Sequence, residues 1–564
     1  MRNENSDKPG GEDAIRPDYL NYTAVERALV LLALSVGIMM QVLDTSIVNV
    51  AIPSMMGNLG ATLDEIGWVA TGYIAAMAIV MPLTGWLSAY FGRKRYLAGS
   101  MLIFTVASFF CGNAHTLYEL IFFRVIQGGG GAALMTVSQA ALLEICPPEQ
   151  IPMIQAIRTS GVVIATTLGP ALGGWITDNM TWRWIFFVNI PIGAAAIILT
   201  MLFVRNSPYQ KRPSTKADWF GIFFLAVSMG SLQTVLERGN RLDWFESHLI
   251  VLLTASTIIG LIVFVVWELK SLAPAVPLKV MRHRGLAVGS VAGLVLGFGL
   301  YGSTFVLPIF LQSVQNYNAT ASGIALIPSG LATAFSMPFV GKLLTRYPPR
   351  VLAIFGTCLL IVSLSMFSTL APNTGPIQLM IPLILRGMAL AFLAIPVTLA
   401  TLAGLPPGDI SSGSGIYGVT RQLGGSFGIA ILTTILSRRE AYHRSVLAGY
   451  VNPENPALAT RLGGLTGDLF EMHGTPLPAF SLKTPGATNM YLYPHGGPAS
   501  ITASQQAYQL LDYSVQTQAD ILSFNDVFHI MFLTFLFMLP LFLLFEKDSP
   551  MIQKKQTIGQ PIED

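Results

Sequence analysis

Polar positions in this chain come in clusters. Between the clusters lie stretches of about eighteen or more mostly apolar residues, each long enough to cross ~30 Å of hydrocarbon as a helix. Fourteen such stretches can be drawn, at 29–52, 66–90, 96–113, 118–145, 152–177, 184–204, 219–236, 249–269, 286–311, 320–345, 351–371, 377–403, 412–437 and 526–546. They are continuous rather than alternating with period two, which excludes a membrane β-barrel. The predicted fold class is therefore an all-α polytopic membrane protein. Residues 1–28 form a polar tail without the basic n-region and small-residue cleavage site of a signal peptide, so it is expected to stay attached. A second tail covers 547–564.

The distribution of lysine and arginine between spans predicts orientation. Arg93, Lys94 and Arg95 follow the second helix, Arg205, Lys211, Arg212 and Lys216 the sixth, and Lys279, Arg282 and Arg284 the eighth. Arg346 and Arg350 after the tenth, and Lys547, Lys554 and Lys555 after the last, fall on the same side. That side is the cytoplasm, so both termini are expected there. Arg238 and Arg241 are exceptions, matched locally by Glu237 and Asp243.

An internal repeat organises the spans. Gly85-Trp86-Leu87 leading to Arg93 is echoed by Gly341-Lys342-Leu343 leading to Arg346, and Leu120 to Arg124 by Pro382 to Arg386. The glycine-rich fifth helix has a counterpart in Gly413, Gly415, Gly418, Gly424, Gly425 and Gly428 of the thirteenth. Each offset is eight helices, so the plan is two six-helix halves, 29–204 and 286–546, with two central helices inserted at 219–269. Two like bundles rocking about a midplane site are the usual means of alternating access.

Composition sharpens this picture. Only 11% of the 564 residues are charged, against about a quarter in a soluble domain. Lys+Arg 33 against Asp+Glu 30 leaves a net charge of +3, too small an excess for a nucleic-acid footprint. Cys111, Cys146 and Cys358 share no CxxC spacing and are expected to be small buried apolar residues; no metal site is expected.

Against that background the intramembrane polar residues carry the chemistry. Gln41, Asp44, Thr45, Val48 and Asn49 share one face of the first helix. A charged Asp at mid-helix costs about 2.5–3.5 kcal/mol on insertion scales, so Asp44 is expected to face a cavity or a partner. It could load a proton from one side and release it to the other, or serve as a structural carboxylate bonded across the bundle. Arg124, Gln127, Gly128, Gly131, Met135 and Ser138 share a face of the fourth helix. Arg124 either tunes a nearby carboxyl or snorkels to the interface. The glycines at 128–131 satisfy close helix packing, because no strand precedes them to make a nucleotide loop. In the fifth helix Gly161, Ala165, Gly169 and Gly173 form a small-residue row, with Pro170 beside it expected to bend the helix. The row could serve as a hinge or as a packing face. Met39, Met40 and Met135 either line a substrate cavity with Gln41 and Gln127 or pack in the core. Arg386 and Arg421 are second-half candidates for substrate or gating roles, or partners of backbone carbonyls.

With these residues in view, the chain resembles the fourteen-helix drug:proton antiporters of the major facilitator superfamily, the EmrB/QacA family. The resemblance rests on Leu43-Asp44-Thr45-Ser46-Ile47-Val48-Asn49-Val50-Ala51-Ile52-Pro53, on the loop motif Gly85 to Lys94 including Gly92 and Arg93, and on Arg124-Val125-Ile126-Gln127-Gly128. Gly169-Pro170-Ala171-Leu172-Gly173-Gly174, Trp182 to Pro191, and Arg421-Gln422-Leu423-Gly424-Gly425 add to it. The loop motif departs from the family in one place: Ala89 stands where an acid is usual, which leaves open how the inner gate is latched. The resemblance implies a major facilitator fold and a bacterial inner-membrane exporter of lipophilic toxic compounds. Its energy would come from the proton-motive force, without a cofactor. It also implies Asp44 and Arg124 as the proton-coupling pair, with Gly85, Gly92, Arg93, Gly161, Gly169, Pro170 and Gly173 in gating or packing. The partners it implies are a periplasmic adaptor of the EmrA type and an outer-membrane channel of the TolC type.

The alternatives are export of one endogenous metabolite, such as a fatty acid or siderophore, and a non-transporting membrane sensor. No Walker motif is present. Between helices thirteen and fourteen the polar segment 438–524 is expected on the periplasmic side, with Phe470, Phe480, Tyr491 and Tyr493 as apolar anchors and 501–523 as a helix entering the last span. His443, His473 and His495 are too far apart for a metal motif. The segment is expected to help dock the adaptor.

Overall fold

In this computed structural model the described residues are 22–545, apart from 208, 210–217, 272, 318, 372–373 and, between 452 and 498, all but 456, 458, 460–462, 481–482 and 490–491. The two tails, Lys211, Arg212 and Lys216, and Phe470, Phe480, Tyr493, His473 and His495 thus lie largely or wholly outside the described residues.

Among the described residues fourteen helices are long and apolar enough to cross a membrane. We number them α1 Ala24–Leu59, α2 Trp68–Phe91, α3 Arg93–Asn113, α4 Leu117–Ile145, α5 Ile151–Asn179, α6 Trp184–Phe203, α7 Trp219–Arg238, α8 His248–Lys270, α9 Arg284–Ser313, α10 Ala321–Leu343, α11 Pro349–Phe367, α12 Ile377–Leu402, α13 Pro407–Tyr450 and α14 Gln506–Leu544. Local chemistry fixes several ends. Thr23 with Glu26 and Thr116 with Glu119 form capping boxes that start α1 and α4, and Gly60, at φ +60°, closes α1 in the left-handed conformation.

The repeat is visible in the packing. In the first half α1 packs on α5 and α6, α4 on α2 and α3, and α3 on α6. Each pairing recurs eight helices later, as α9 on α13 and α14, α12 on α10 and α11, and α11 on α14. The halves meet through α5 on α10 and α13 on α2 and α4, while α7 and α8 pair with each other and lean on α2 and α13. Apolar residues dominate the outward faces, as a lipid-facing surface requires.

Two expectations change. Cys111 and Cys146 are buried, but Cys358 is exposed on α11, where a lipid-facing thiol needs no apolar enclosure. The segment 438–524 is less of a loop than its polarity suggests, because the α13 helix runs on to Tyr450 and the helix containing α14 begins at Ala499. No glycine or proline interrupts 429–448, and the two extensions are cross-linked by His443 to Asp526 at 2.8 Å and Gln516 to Glu440 at 2.7 Å. A two-residue antiparallel pairing joins Ser481–Leu482 to Met490–Tyr491.

Candidate functional site

Asp44 is fully buried, and α1 delivers it to the centre of the first half. Its Oδ2 accepts from Arg124 Nη1 at 2.7 Å, and its Oδ1 accepts from Gln127 Nε2 at 3.0 Å and Asn189 Nδ2 at 2.8 Å. The Ser108 hydroxyl accepts from both amides, at 2.6 Å from Gln127 and 3.2 Å from Asn189. Arg124 also donates to Gln127 Oε1 at 2.8 Å and from Nε to the Val69 carbonyl at 3.2 Å, and its guanidinium lies 4.2 Å from the centre of the Tyr73 ring. Three helices, α1, α4 and α6, therefore meet at the carboxylate, and α2 and α3 join the network through Val69 and Ser108. The structure thus brings the two predicted partners together and keeps Arg124 from the interface. A buried ion pair is stable only when its remaining donors and acceptors are engaged, and here amides and a hydroxyl from other helices do this. Protonation of Asp44 would remove the anion that all of them share.

The glycine row of α5 is the surface on which α1 rests. A Cβ on Gly161 would stand 3.1 Å from Met39 Sδ, one on Gly169 2.5 Å from Ser46 Cβ, and one on Gly173 3.1 Å from the Ile47 carbonyl oxygen. Pro170 sits inside the continuous helix and cannot donate to the carbonyl four residues back. That carbonyl, on Thr166, accepts from Ser46 Oγ at 3.1 Å instead. The proline therefore adds a polar link to the α1–α5 seam.

At the end carrying the basic loop the halves press together. A Cβ on Gly85 would lie 2.8 Å from Ser412 Cα, one on Gly415 2.6 Å from the Met81 carbonyl oxygen, and one on Gly341 2.9 Å from that of Pro152. At the opposite end Gly57, Gly174 and Gly323 have open space around them. Gly92 bends the α2–α3 turn at φ +84°, beside Asn206, whose Oδ1 accepts from the Lys94 amide at 3.1 Å. Arg93 is fully buried and pairs with Glu144 near the end of α4, and Ser207 donates to the same carboxylate at 2.5 Å. With Ala89 unable to supply an acid, Glu144 gives the loop arginine its counter-charge.

The remaining candidates separate. Met40 is buried in the first-half core. Met39 and Met135 are partly buried. Gln41 is buried, with its amide on Met77 Sδ at 3.6 Å. Gln127 belongs to the Asp44 cluster. Arg386, the repeat counterpart of Arg124, donates to Ser303 Oγ at 2.9 Å, Ser329 Oγ at 3.0 Å and Thr304 Oγ1 at 2.6 Å. Hydroxyls of α9 and α10 thus stand where the first half has a carboxylate. Arg421 is half-buried, with Met135 Sδ at 3.6 Å. The residues that sequence reasoning leaves out are Ser108, Tyr73, Glu144, Gln139 and Arg158, together with the role of Asn189.

A family model described as the Major Facilitator Superfamily matches residues 34–429. The chain is similar to the multidrug export protein EmrB of Escherichia coli K12, at 37% identity over 77% of this chain and 85% of that one. It is also similar to the fatty acid resistance protein FarB of Neisseria gonorrhoeae, at 33% identity over 78% of this chain and 87% of that one. Among solved structures, the human organic anion transporter MFSD10 aligns with a TM-score of 0.54 at 13% identity, over 72% of this chain and 93% of that one. The proton:xylose symporter XylE aligns with a TM-score of 0.53 at 14% identity, over 74% of this chain and 90% of that one. At those identities the two structures show the shared fold.

Proposed function

The chain belongs to the Major Facilitator Superfamily, with relatives that are multidrug export proteins, and from that premise we propose that it is a proton-driven antiporter of lipophilic toxic compounds. The observation that carries this reading is Asp44: a carboxylate buried in a membrane bundle and held by Arg124, Gln127 and Asn189 from two other helices. A proton entering there cancels the charge that ties α1 to α4 and α6, so loading and release couple to bundle rearrangement. The driving term is about 2.3 kcal/mol per charge per 100 mV plus about 1.4 kcal/mol per pH unit.

The tight seam between the halves at the basic-loop end supports a stage of alternating access that is closed at that end. The placement of lysines and arginines supports cytoplasmic termini in a bacterial inner membrane. We further propose a tripartite assembly, in which a periplasmic adaptor and an outer-membrane channel are partners of the segment between α13 and α14. The likeness to FarB favours a second reading, in which one endogenous amphiphile such as a fatty acid is the main cargo.

The test is transport in proteoliposomes with an acid interior, where an antiporter accumulates a fluorescent lipophilic compound as protons leave. Asp44→Asn is expected to abolish the gradient-driven uptake while sparing exchange of compound for compound. Full gradient-driven uptake by Asp44→Asn would remove Asp44 from the coupling step.

A further inference from the structure

Two arginines at the seam between the halves have no anionic partner among the described residues. Arg158, on α5, is 8% exposed, and its Nη1 donates to Gln139 Oε1 and, at 3.3 Å, to Gln155 Oε1. Its Nε and the Gln139 Nε2 are buried donors with no hydrogen-bond partner. Arg421, on α13 of the other half, places its Nη2 3.6 Å from the Met135 thioether. Among the described residues neither arginine makes an ion pair; the buried acids of α1 and α4, Asp44 and Glu144, are bound to Arg124 and Arg93.

Met135 and Gln139 are i and i+4 on α4, neighbours about 6 Å apart on one helix face. The two guanidiniums therefore approach the same strip of α4 from opposite halves, one turn apart. Burying Arg158 without a counter-charge is costly, and the half-buried Arg421 on the same strip adds to that cost. The site has the features of an anion receptor: two guanidiniums, an unpartnered N–H on Arg158 and another on Gln139. Its walls are soft and apolar, since Met135 lies beneath Arg421 and Met39 packs on Gly161, three residues beyond Arg158.

We propose that Arg158 and Arg421 together bind the anionic head of the transported compound, which makes lipophilic organic anions, an apolar body ending in a carboxylate or similar group, the substrate class. This rests on the reading of the chain as an exporter. It adds that the cargo's charge bridges the two halves, because its ligands lie on α5 and α13. A neutral or cationic compound would leave the arginines uncompensated.

The test is equilibrium binding to the full-length protein in lipid nanodiscs, without any proton gradient. The probes are 11-(dansylamino)undecanoic acid, its methyl ester, and the analogue ending in trimethylammonium. The expected result is that the carboxylate binds at least about tenfold tighter than the ester and the ammonium. Arg158→Gln and Arg421→Gln are each expected to reduce that preference to about threefold or less while ester binding persists, and Arg421→Lys to retain most of it. Equal affinity for carboxylate and ester in the unmodified protein would overturn the proposal. So would parallel loss of both probes in the glutamine variants, which would mark the arginines as packing residues. Because no gradient is present, failure here is separate from failure of the Asp44→Asn transport test.

Discussion

Ser160 of α5 donates its hydroxyl at 3.1 Å to the carbonyl of Ala334 in α10, across the seam between the halves. That carbonyl is free because Pro338, four residues on, has no N–H to give it. The same device links Ser46 to Thr166 under Pro170 within the first half. In both places proline leaves a carbonyl unpaired on one helix and a serine on the neighbouring helix takes it up, which turns a local defect into an interhelical tie.

Ser160→Ala should therefore loosen the seam without disturbing either bundle. One hydrogen bond is worth about 0.5–1.5 kcal/mol, a shift of roughly 2- to 13-fold in the ratio of closed to open seam. A cysteine at position 156, where Ala156 is fully buried in the same seam, reports the ratio through its rate of labelling by a water-soluble maleimide. The rate should rise in Ser160→Ala; an unchanged rate would mean that the bond contributes nothing to closure.

Glu144 carries a heavier load. Arg93 is fully buried, its Nε and Nη1 lack partners, and its ion pair is with this carboxylate. Removing one member of a buried pair costs about 3–5 kcal/mol. Glu144→Gln should therefore lower the unfolding temperature of the detergent-solubilised protein clearly. Restoring an acid by Ala89→Asp in the Glu144→Gln background tests whether the loop position can take over. A melting temperature unmoved by Glu144→Gln would refute the assignment of Glu144 as the counter-charge.

The glycine seam yields a comparison with its own control. Gly169 and Gly174 belong to the same helix, but a Cβ at 169 meets Ser46 at 2.5 Å and one at 174 meets nothing within 4 Å. Overpacking costs about 1–3 kcal/mol, here at the contact of α1 with α5, the helix pair that carries Asp44 and Arg158. Gly169→Leu should therefore suppress transport severalfold while Gly174→Leu transports normally. Equal effects would place the requirement in helix flexibility rather than in close approach.

Much of this was legible along the chain, and the limits have physical causes. Apolar length identifies spans, and an offset of eight helices between matching motifs exposes the two halves. Asp44 and Arg124 stand out one at a time, because a charge in an apolar run is conspicuous. Their meeting was not legible: helical spacing assigns a residue to a face, and says nothing of which helix lies opposite. Asn189 sits in a motif, yet nothing local marks an amide among apolar neighbours as the partner of a carboxylate 145 positions away. Arg158 and Glu144 lie within about two turns of a span end, where charged side chains ordinarily reach water. Only their burial distinguishes them.

The extended ends of α13 and α14 make the final prediction possible. The helix Ile410–Tyr450 has 41 residues, about 60 Å of length, twice the ~30 Å that hydrocarbon requires. It starts at the end carrying the basic loop, so its excess emerges at the opposite face beside the helix that begins at Ala499. Single surface ion pairs contribute little, but the links of His443 and Arg439 to Asp526, Gln516 to Glu440 and Arg444 to Asp512 run along both helices and hold them as one post. The segment between the two helices can then be removed without cutting the post. Replacing 452–498 with a Gly/Ser linker should leave membrane insertion and melting temperature intact and abolish cross-linking to a periplasmic adaptor of the EmrA type, the partner we propose for this face. An adaptor that still cross-links with full yield to the shortened chain would move the docking surface onto the helical post itself.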